Sequence, residues 1–263
     1  MLQLIDPAVV GGALAGVLFA GILAALWIGR WIGKRTLARH GLSTPGNINS
    51  LETAVFALLG LMIAFSFAGA LSRFDTRRVQ VVDEANAMGT AYLRIDLVPA
   101  SAQPKLRETF RSYVDSRIET YRRLPDLAAA KAQLARTEAL QGEVWSQAVA
   151  AVRMPGAPPM AELLVLPAFN EVFNFITIRT SATLMHPPVI IYAMLIGLAL
   201  ASAFLAGYQT SAEKAYDWVH QIAFAGTVAF TVYVILDIEY PRLGFVRLDA
   251  FDQVLVSVRQ GMK

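Results

Sequence analysis

The chain lacks cysteine altogether and is poor in charge. Its 263 residues include no Cys, and Asp, Glu, Lys and Arg together make up 16%, against about 25% in ordinary globular proteins. Without cysteine, disulfides and thiolate metal sites are excluded. The net charge of +3 is spread out with no polybasic tail, which argues against nucleic acid as a partner.

Charge is missing entirely from four long stretches. Asp, Glu, Lys and Arg are absent from Pro7–Gly29, Thr53–Ser72, Thr180–Ala212 and Trp218–Leu236. Each stretch reaches the roughly 18 residues that indicate a membrane helix. The first is not a cleavable signal peptide, because its basic residues follow the apolar run. No segment alternates with a period of two, so the sequence predicts an all-α integral membrane protein with four transmembrane helices.

The four spans form two pairs with a polar insert between them. Residues 1–72 hold spans at about 8–29 and 53–72, and residues 187–240 hold spans at about 187–208 and 218–236. Thr44–Asn47 predicts the turn of the first hairpin, and Pro187–Pro188 suits the first turn of the third span. Residues 73–186 are predicted to form a helical extramembrane domain, on which residues 241–263 pack.

One helix of the insert has a clear apolar face. A helical stripe is formed by Leu106, Phe110, Tyr113, Val114, Arg117 and Tyr121, which predicts an amphipathic helix. A weaker helical pattern follows until Met154–Pro159 breaks it, and a third helix is predicted over residues 163–183.

The second span continues into a charged segment without a Gly-Pro break. Ala57, Leu61 and Phe65 are spaced four residues apart and lead through Gly69 to Arg73. Their common face either contacts lipid and neighbouring helices or, in an oligomer, forms a hydrophobic constriction that gates by dewetting.

Beyond the span, charged residues share a helical face. Arg73, Arg77, Gln80 and Glu84 follow i, i+4, i+7, i+11 spacing, and Asp83 lies beside them. Such a stripe is either a solvated, salt-bridged face or the lining of a vestibule, for which the candidate charges are Arg73, Arg77, Asp83 and Glu84.

Carboxylates cluster at the end of the fourth span. Asp237 and Glu239 close the span, and Asp249 and Asp252 follow. They are either solvated end-caps or ligands of an unidentified cation. Because the helix dipole disfavours acids at a C-terminus, a compensating Arg or metal is expected.

The sequence carries no pattern of catalysis. Its three histidines, His40, His186 and His220, have no spacing for a zinc site or a nucleophile triad. We therefore predict no enzyme and no cofactor.

Two segments resemble bestrophins. Phe65–Phe74, continued by Arg77 and Glu84–Asn86, resembles the second bestrophin helix, in which an apolar neck precedes an Arg-aromatic pair and a charged helix. Ile238–Pro241 with its trailing acids resembles the Glu-x-Pro segment after the last bestrophin span. From the second span onward, with SRFDTRR, EANAMGTAYLR and VILDIEYPRLGFVRLDAFDQVL, the chain is similar to a bacterial bestrophin-like family of uncharacterised membrane proteins.

The resemblance implies a homo-oligomeric ion channel, pentameric as bestrophins are, in the cell inner membrane. Its partners would be the lipid bilayer, further copies of the chain and an inorganic ion, and its neck would comprise Ala57, Leu61 and Phe65. The acidic clasp that binds calcium in animal bestrophins is matched in outline by Asp237, Glu239, Asp249 and Asp252.

Two questions stay open at this level. The alternative function is a non-conducting scaffold whose insert binds a soluble partner through a groove along Leu106–Tyr121. Membrane orientation is also open, because the basic first hairpin favours the cytoplasm, whereas the bestrophin layout places that hairpin outside.

Overall fold

The computed structural model describes residues 7–40, 48–124, 126–213, 217–241, 245–246 and 249–263. Over these ranges the chain is helical, without a strand. The α-helices described are α1 (Pro7–His40), α2 (Ile48–Arg94), α3 (Gln103–Arg122), α4 (Leu127–Val152), α5 (Ala161–Leu184), α6 (Val189–Gln209), α7 (Trp218–Glu239) and α8 (Asp249–Gly261). The predicted turn at Thr44–Asn47 lies outside the described residues.

Four stretches of helix are long and apolar enough to cross a membrane. They are Gly11–Arg39, Ser50–Leu97, Ala161–Ala212 and Trp218–Glu239, which confirms the prediction of an all-α chain with four membrane-spanning helices. Pro187 and Pro188 precede the helix rather than form its first turn, because α6 begins at Val189.

The second helix is 47 residues long. No proline interrupts it between Ile48 and Arg94, so nothing removes a backbone hydrogen bond where the uncharged segment becomes charged. A helix of this length measures about 70 Å at 1.5 Å per residue, more than twice the hydrocarbon thickness of a bilayer.

The chain divides into two compact units. The membrane unit comprises Met1–Phe74 and His186–Val246, and the polar unit comprises Asp75–Met185 and Arg247–Lys263. Helix α2 contributes its N-terminal part to the membrane unit and its C-terminal part to the polar unit.

In the membrane unit, α1 and α6 approach through glycine. A Cβ atom on Gly33 would lie 2.5 Å from the Ser211 hydroxyl and 2.8 Å from the Tyr208 carbonyl oxygen, and one on Gly207 would lie 2.8 Å from Leu26 Cα. Gly29 likewise contacts the backbone of α6. Small residues at a crossing allow backbones to touch, which is how membrane helices associate without a hydrophobic driving force.

The polar unit has an aromatic core. Phe110 and Tyr113 of α3 meet Phe169 and Phe173 of α5, with ring centroids 5.2 Å apart for Phe110–Phe169 and 5.5 Å apart for Tyr113–Phe173. Both pairs are edge-to-face, the arrangement that aromatic quadrupoles favour. The apolar face predicted for α3 is thus buried within its own unit. Helix α8 joins this unit, where the Arg259 and Asp115 side chains pair at 2.8 Å.

Candidate functional site

Helix α2 exposes one continuous stripe along most of its length. An α-helix turns about 100° per residue, so residues separated by a mixture of three-residue and four-residue steps stay on one face. The outer face of α2 is defined by such residues, all of them exposed: Leu61, Phe65, Ala68, Ser72, Thr76, Val79, Asp83, Asn86, Thr90 and Leu93.

The three predicted neck residues lie at the start of this face. Ala57 is exposed, and Leu61 and Phe65 are 50% and 66% exposed. Their side chains are therefore available to lipid or to another copy of the chain. In the membrane unit α2 also exposes Phe67 and Leu71, which suits a helix with lipid on one side and a protein partner on another.

The predicted stripe does not continue straight into Arg73 and Arg77. Steps of four residues drift by about 40° each, so the five steps from Ala57 to Arg77 rotate the side chain by about 200°. Arg77 is buried, and Arg73 is partly buried. The outer face instead continues through Ser72, Thr76 and Val79.

Arg73 belongs to a cluster inside the membrane unit. Its Nε donates to both Glu239 carboxylate oxygens at 3.0 and 2.9 Å, and its Nη2 donates to Oε2 at 2.7 Å. His186 Nδ1 lies 3.1 Å from Glu239 Oε1, and its ring stacks on Tyr240. The Glu239 side chain is fully buried, whereas those of Arg73 and His186 are 31% and 27% exposed.

Arg77 caps a helix in the polar unit. Its Nε donates to the Ala182 carbonyl oxygen at 3.2 Å, and its Nη2 donates to the Met185 carbonyl oxygen at 3.1 Å. Both carbonyls lie at the C-terminal end of α5, where helix carbonyls lack intrahelical donors and the dipole favours a cation.

Glu84 is the centre of a second ion cluster, in the polar unit. Arg117 donates to Glu84 Oε1 through Nε at 2.8 Å and Nη2 at 2.5 Å, and Arg179 donates to Oε2. Arg179 also reaches Asp252 at 3.3 Å, and its guanidinium lies 3.7 Å from the Tyr121 ring centroid. Four helices, α2, α3, α5 and α8, meet in this cluster.

The charge of Arg117 is stabilised by its neighbours. Burial alone opposes the charged form, but attraction to Tyr121 and Glu84 outweighs burial and raises the pKa of Arg117 above its ordinary value. Tyr113 lies in the same environment, and burial raises the pKa of its hydroxyl. Burial opposes the charged form of Arg179 as well, but Tyr121 and Glu84 raise its pKa, so the two guanidiniums that contact Glu84 stay charged at any accessible pH.

The four candidate vestibule charges thus have different surroundings. Arg73, Arg77 and Glu84 share one face of α2, as predicted, but this face turns into the protein. Asp83 is exposed on the outer face. The Glu84 carboxylate is therefore shielded from water, whereas the Asp83 carboxylate is exposed to it.

Comparison with known proteins assigns the family. The model of the bestrophin-like domain matches residues 16–250, nearly the whole chain. The chain belongs to the bestrophin-like family. Comparisons with curated proteins and with solved structures each found no match. The domain match includes the whole of α2 and the Glu239 cluster.

The acidic residues that the structure describes near the end of the fourth span do not fit a calcium site. Asp237 accepts the Phe245 and Val246 backbone N–H groups at 2.9 and 2.8 Å, Glu239 is held by Arg73 and His186, and Asp252 accepts from Arg179. The Asp249 side chain is outside the described part. Since calcium requires six to eight oxygen ligands, carboxylates neutralised by N–H donors are poor candidates. The compensating cation expected for Glu239 is Arg73.

Sequence reasoning did not identify Arg117, Arg179 or His186 as partners of the acids. Arg117 could have been recognised, because it is the one charged residue in the apolar stripe of α3, and a buried Arg requires a counter-charge. Arg179 and His186 could not have been recognised, since their partners are 95 and 53 residues away in the sequence.

Proposed function

We propose that this bestrophin-like protein is a homo-oligomeric ion channel in which the outer face of α2 lines the axis between subunits. The single observation that carries the proposal is that this face is exposed along most of α2, from Leu61 and Phe65 in the membrane unit to Asp83 and Leu93 in the polar unit. Repeated copies of α2 bring these faces together around one axis, with large apolar side chains at membrane depth and a carboxylate beyond it.

The neck lies in the membrane-spanning part of α2. Leu61 and Phe65 narrow the path with large apolar side chains, and Ala57 leaves it wider. A ring of such residues resists wetting and so closes the path to ions until it widens.

The ion is selected by the charge that the outer face presents. Asp83 is the proposed vestibule residue, and a ring of carboxylates favours cations. Arg73, Arg77 and Glu84 position α2 through their internal partners. The protein acts as a channel and not as an enzyme, with the lipid bilayer of the inner membrane, other copies of itself and an inorganic cation as partners.

The scaffold alternative loses the surface on which it depended. It required an open groove along Leu106–Tyr121, but Leu106, Phe110, Tyr113 and Val114 are buried in the core of the polar unit. A soluble partner cannot reach this face without unfolding the unit.

Conductance of the purified protein in planar bilayers tests the proposal. Wild type conducts, and Phe65→Ala raises the conductance because the constriction loses its bulkiest apolar group. Phe230→Ala is a matched control: Phe230 of α7 is also 66% exposed, but it is not on α2. We expect its conductance to equal that of wild type.

Two results would refute the channel. One is the absence of conductance from wild-type protein that is folded and inserted. The other is an equal effect of Phe65→Ala and Phe230→Ala, which would mean that Phe65 contacts only lipid.

A further inference from the structure

The exposed side chains of α1 change in chemical character along the helix. The first half exposes the apolar Leu14 and Val17. The second half exposes first Trp27 and Trp31 and then Lys34, Arg35 and Arg39. At 1.5 Å per residue, Val17 and Arg39 are separated by about 33 Å. Apolar, aromatic and basic side chains in this order match hydrocarbon, interface and headgroups.

The aromatic and basic residues are organised as one surface. The rings of Trp27 and Trp31 stack with centroids 6.5 Å apart, and the Arg35 guanidinium lies 3.5 Å from the Trp31 centroid. A guanidinium over an indole face is attracted to it. Trp31 therefore holds Arg35 in place, beside the exposed Lys34.

A fourth basic residue of this helix has a different role. Arg30 is 4% exposed, and its Nη2 donates to the Glu213 carbonyl oxygen at 2.9 Å. It links α1 to the segment that follows α6. Lys34, Arg35 and Arg39 point outward instead, and α1 contains no Asp or Glu to neutralise them. Trp218, also exposed, begins α7 at the same end of the unit.

We propose that Trp27, Trp31, Lys34, Arg35 and Arg39 form a binding surface for the headgroups of anionic phospholipids. The occupant is a membrane lipid, because the exposed tryptophans lie along the helix between the exposed apolar residues and the basic ones, as acyl chains and headgroups require. The proposal does not depend on ion conduction.

Native mass spectrometry of the full chain in mild detergent provides the test. Phosphatidylglycerol and phosphatidylcholine of equal chain length are offered together. We expect wild type to retain phosphatidylglycerol preferentially, and each neutralised basic residue to weaken its binding about five-fold. The variant Lys34→Gln/Arg35→Gln/Arg39→Gln should lose the preference.

A matched variant controls for net charge. Arg122→Gln/Lys131→Gln/Arg136→Gln removes three exposed cations from the polar unit and should keep the preference. Trp31→Leu should weaken phosphatidylglycerol binding with all charges kept, because Arg35 loses its support. Thermal unfolding of each variant verifies that it is folded.

Three outcomes would overturn the proposal. Equal retention of the two lipids by wild type would show that the surface has no preference for anionic headgroups. Equal loss in both triple variants would show an effect of net charge alone. Displacement of phosphatidylglycerol by equimolar glycerol phosphate would assign the surface to a soluble phosphate rather than a membrane lipid.

Discussion

Two buried glutamates of the molecule are held in different ways. Glu84, in the polar unit, is enclosed by two guanidiniums whose side chains are also buried. Glu239, in the membrane unit, is held by one guanidinium and one imidazole, each about a third exposed. Buried partners cannot be hydrated if the carboxylate is lost, whereas partly exposed partners can. The comparison indicates a structural centre enclosed by protein in the polar unit and a centre partly open to solvent in the membrane unit.

Glu84→Gln should have the largest effect. It leaves Arg117 and Arg179 buried without their shared counter-charge, and breaking a buried pair in this way costs about 3–5 kcal/mol. We expect the free energy of unfolding, measured by denaturant titration of the full chain in detergent, to fall by this amount, or the variant not to fold.

The neighbouring acid offers a control for this substitution. Asp83→Asn removes the same charge one residue away, but from the exposed face of α2, and stability should stay near that of wild type. Equal destabilisation by the two variants would show that the Glu84 cluster is not the structural centre.

Glu239→Gln should lower the free energy of unfolding by less than Glu84→Gln does. Arg73 and His186 can be hydrated when the carboxylate is lost because both are partly exposed, so we expect a loss of about 1–3 kcal/mol. The same denaturant titration measures it. A loss as large as that of Glu84→Gln would remove the distinction between the clusters.

Tyr113→Phe should have the smallest effect on the free energy of unfolding, and it should stabilise the protein rather than destabilise it. The Tyr113 hydroxyl is buried and has no hydrogen-bond partner among the residues that the structure describes. Removing an unsatisfied hydroxyl should raise the free energy of unfolding at neutral pH by about 1 kcal/mol.

The same variant should also change how the free energy of unfolding depends on pH. Because burial raises the pKa of Tyr113 in the folded state, both states are neutral below the unfolded pKa of about 10. Above it, the unfolded state releases its proton first, so the stability of wild type declines as pH rises. In Tyr113→Phe this decline should be smaller between pH 9 and 11 (roughly the range around that pKa). An unchanged slope would contradict the burial of the hydroxyl.

The positions of the helices could be predicted well from the sequence, but the course of the exposed face along α2 could not. The four spans were predictable because an uncharged window of membrane length requires no knowledge of tertiary contacts. The unbroken α2 was also predictable from its lack of proline. The course of its face was not, because a four-residue step accumulates an error that reverses the face by Arg77.

The ion clusters show a second limit to what can be predicted from the sequence. Glu239 was expected to need a cation, but its partner Arg73 lies 166 residues away, and no local pattern connects them. Arg77 binds carbonyl oxygens of the backbone, which every residue possesses. Such partners emerge only when the fold brings α2, α5 and α7 into place.

Crosslinking at Ser72 tests the central claim that the outer faces of α2 from different copies of the chain face a common axis. Because the chain contains no cysteine, Ser72→Cys and the control Phe230→Cys each carry a single thiol. After treatment of native membranes with a short bismaleimide, we predict a dimer band for Ser72→Cys and monomer for Phe230→Cys. Monomer alone from Ser72→Cys, with its thiol shown to react, or equal dimer from both variants, would contradict the account.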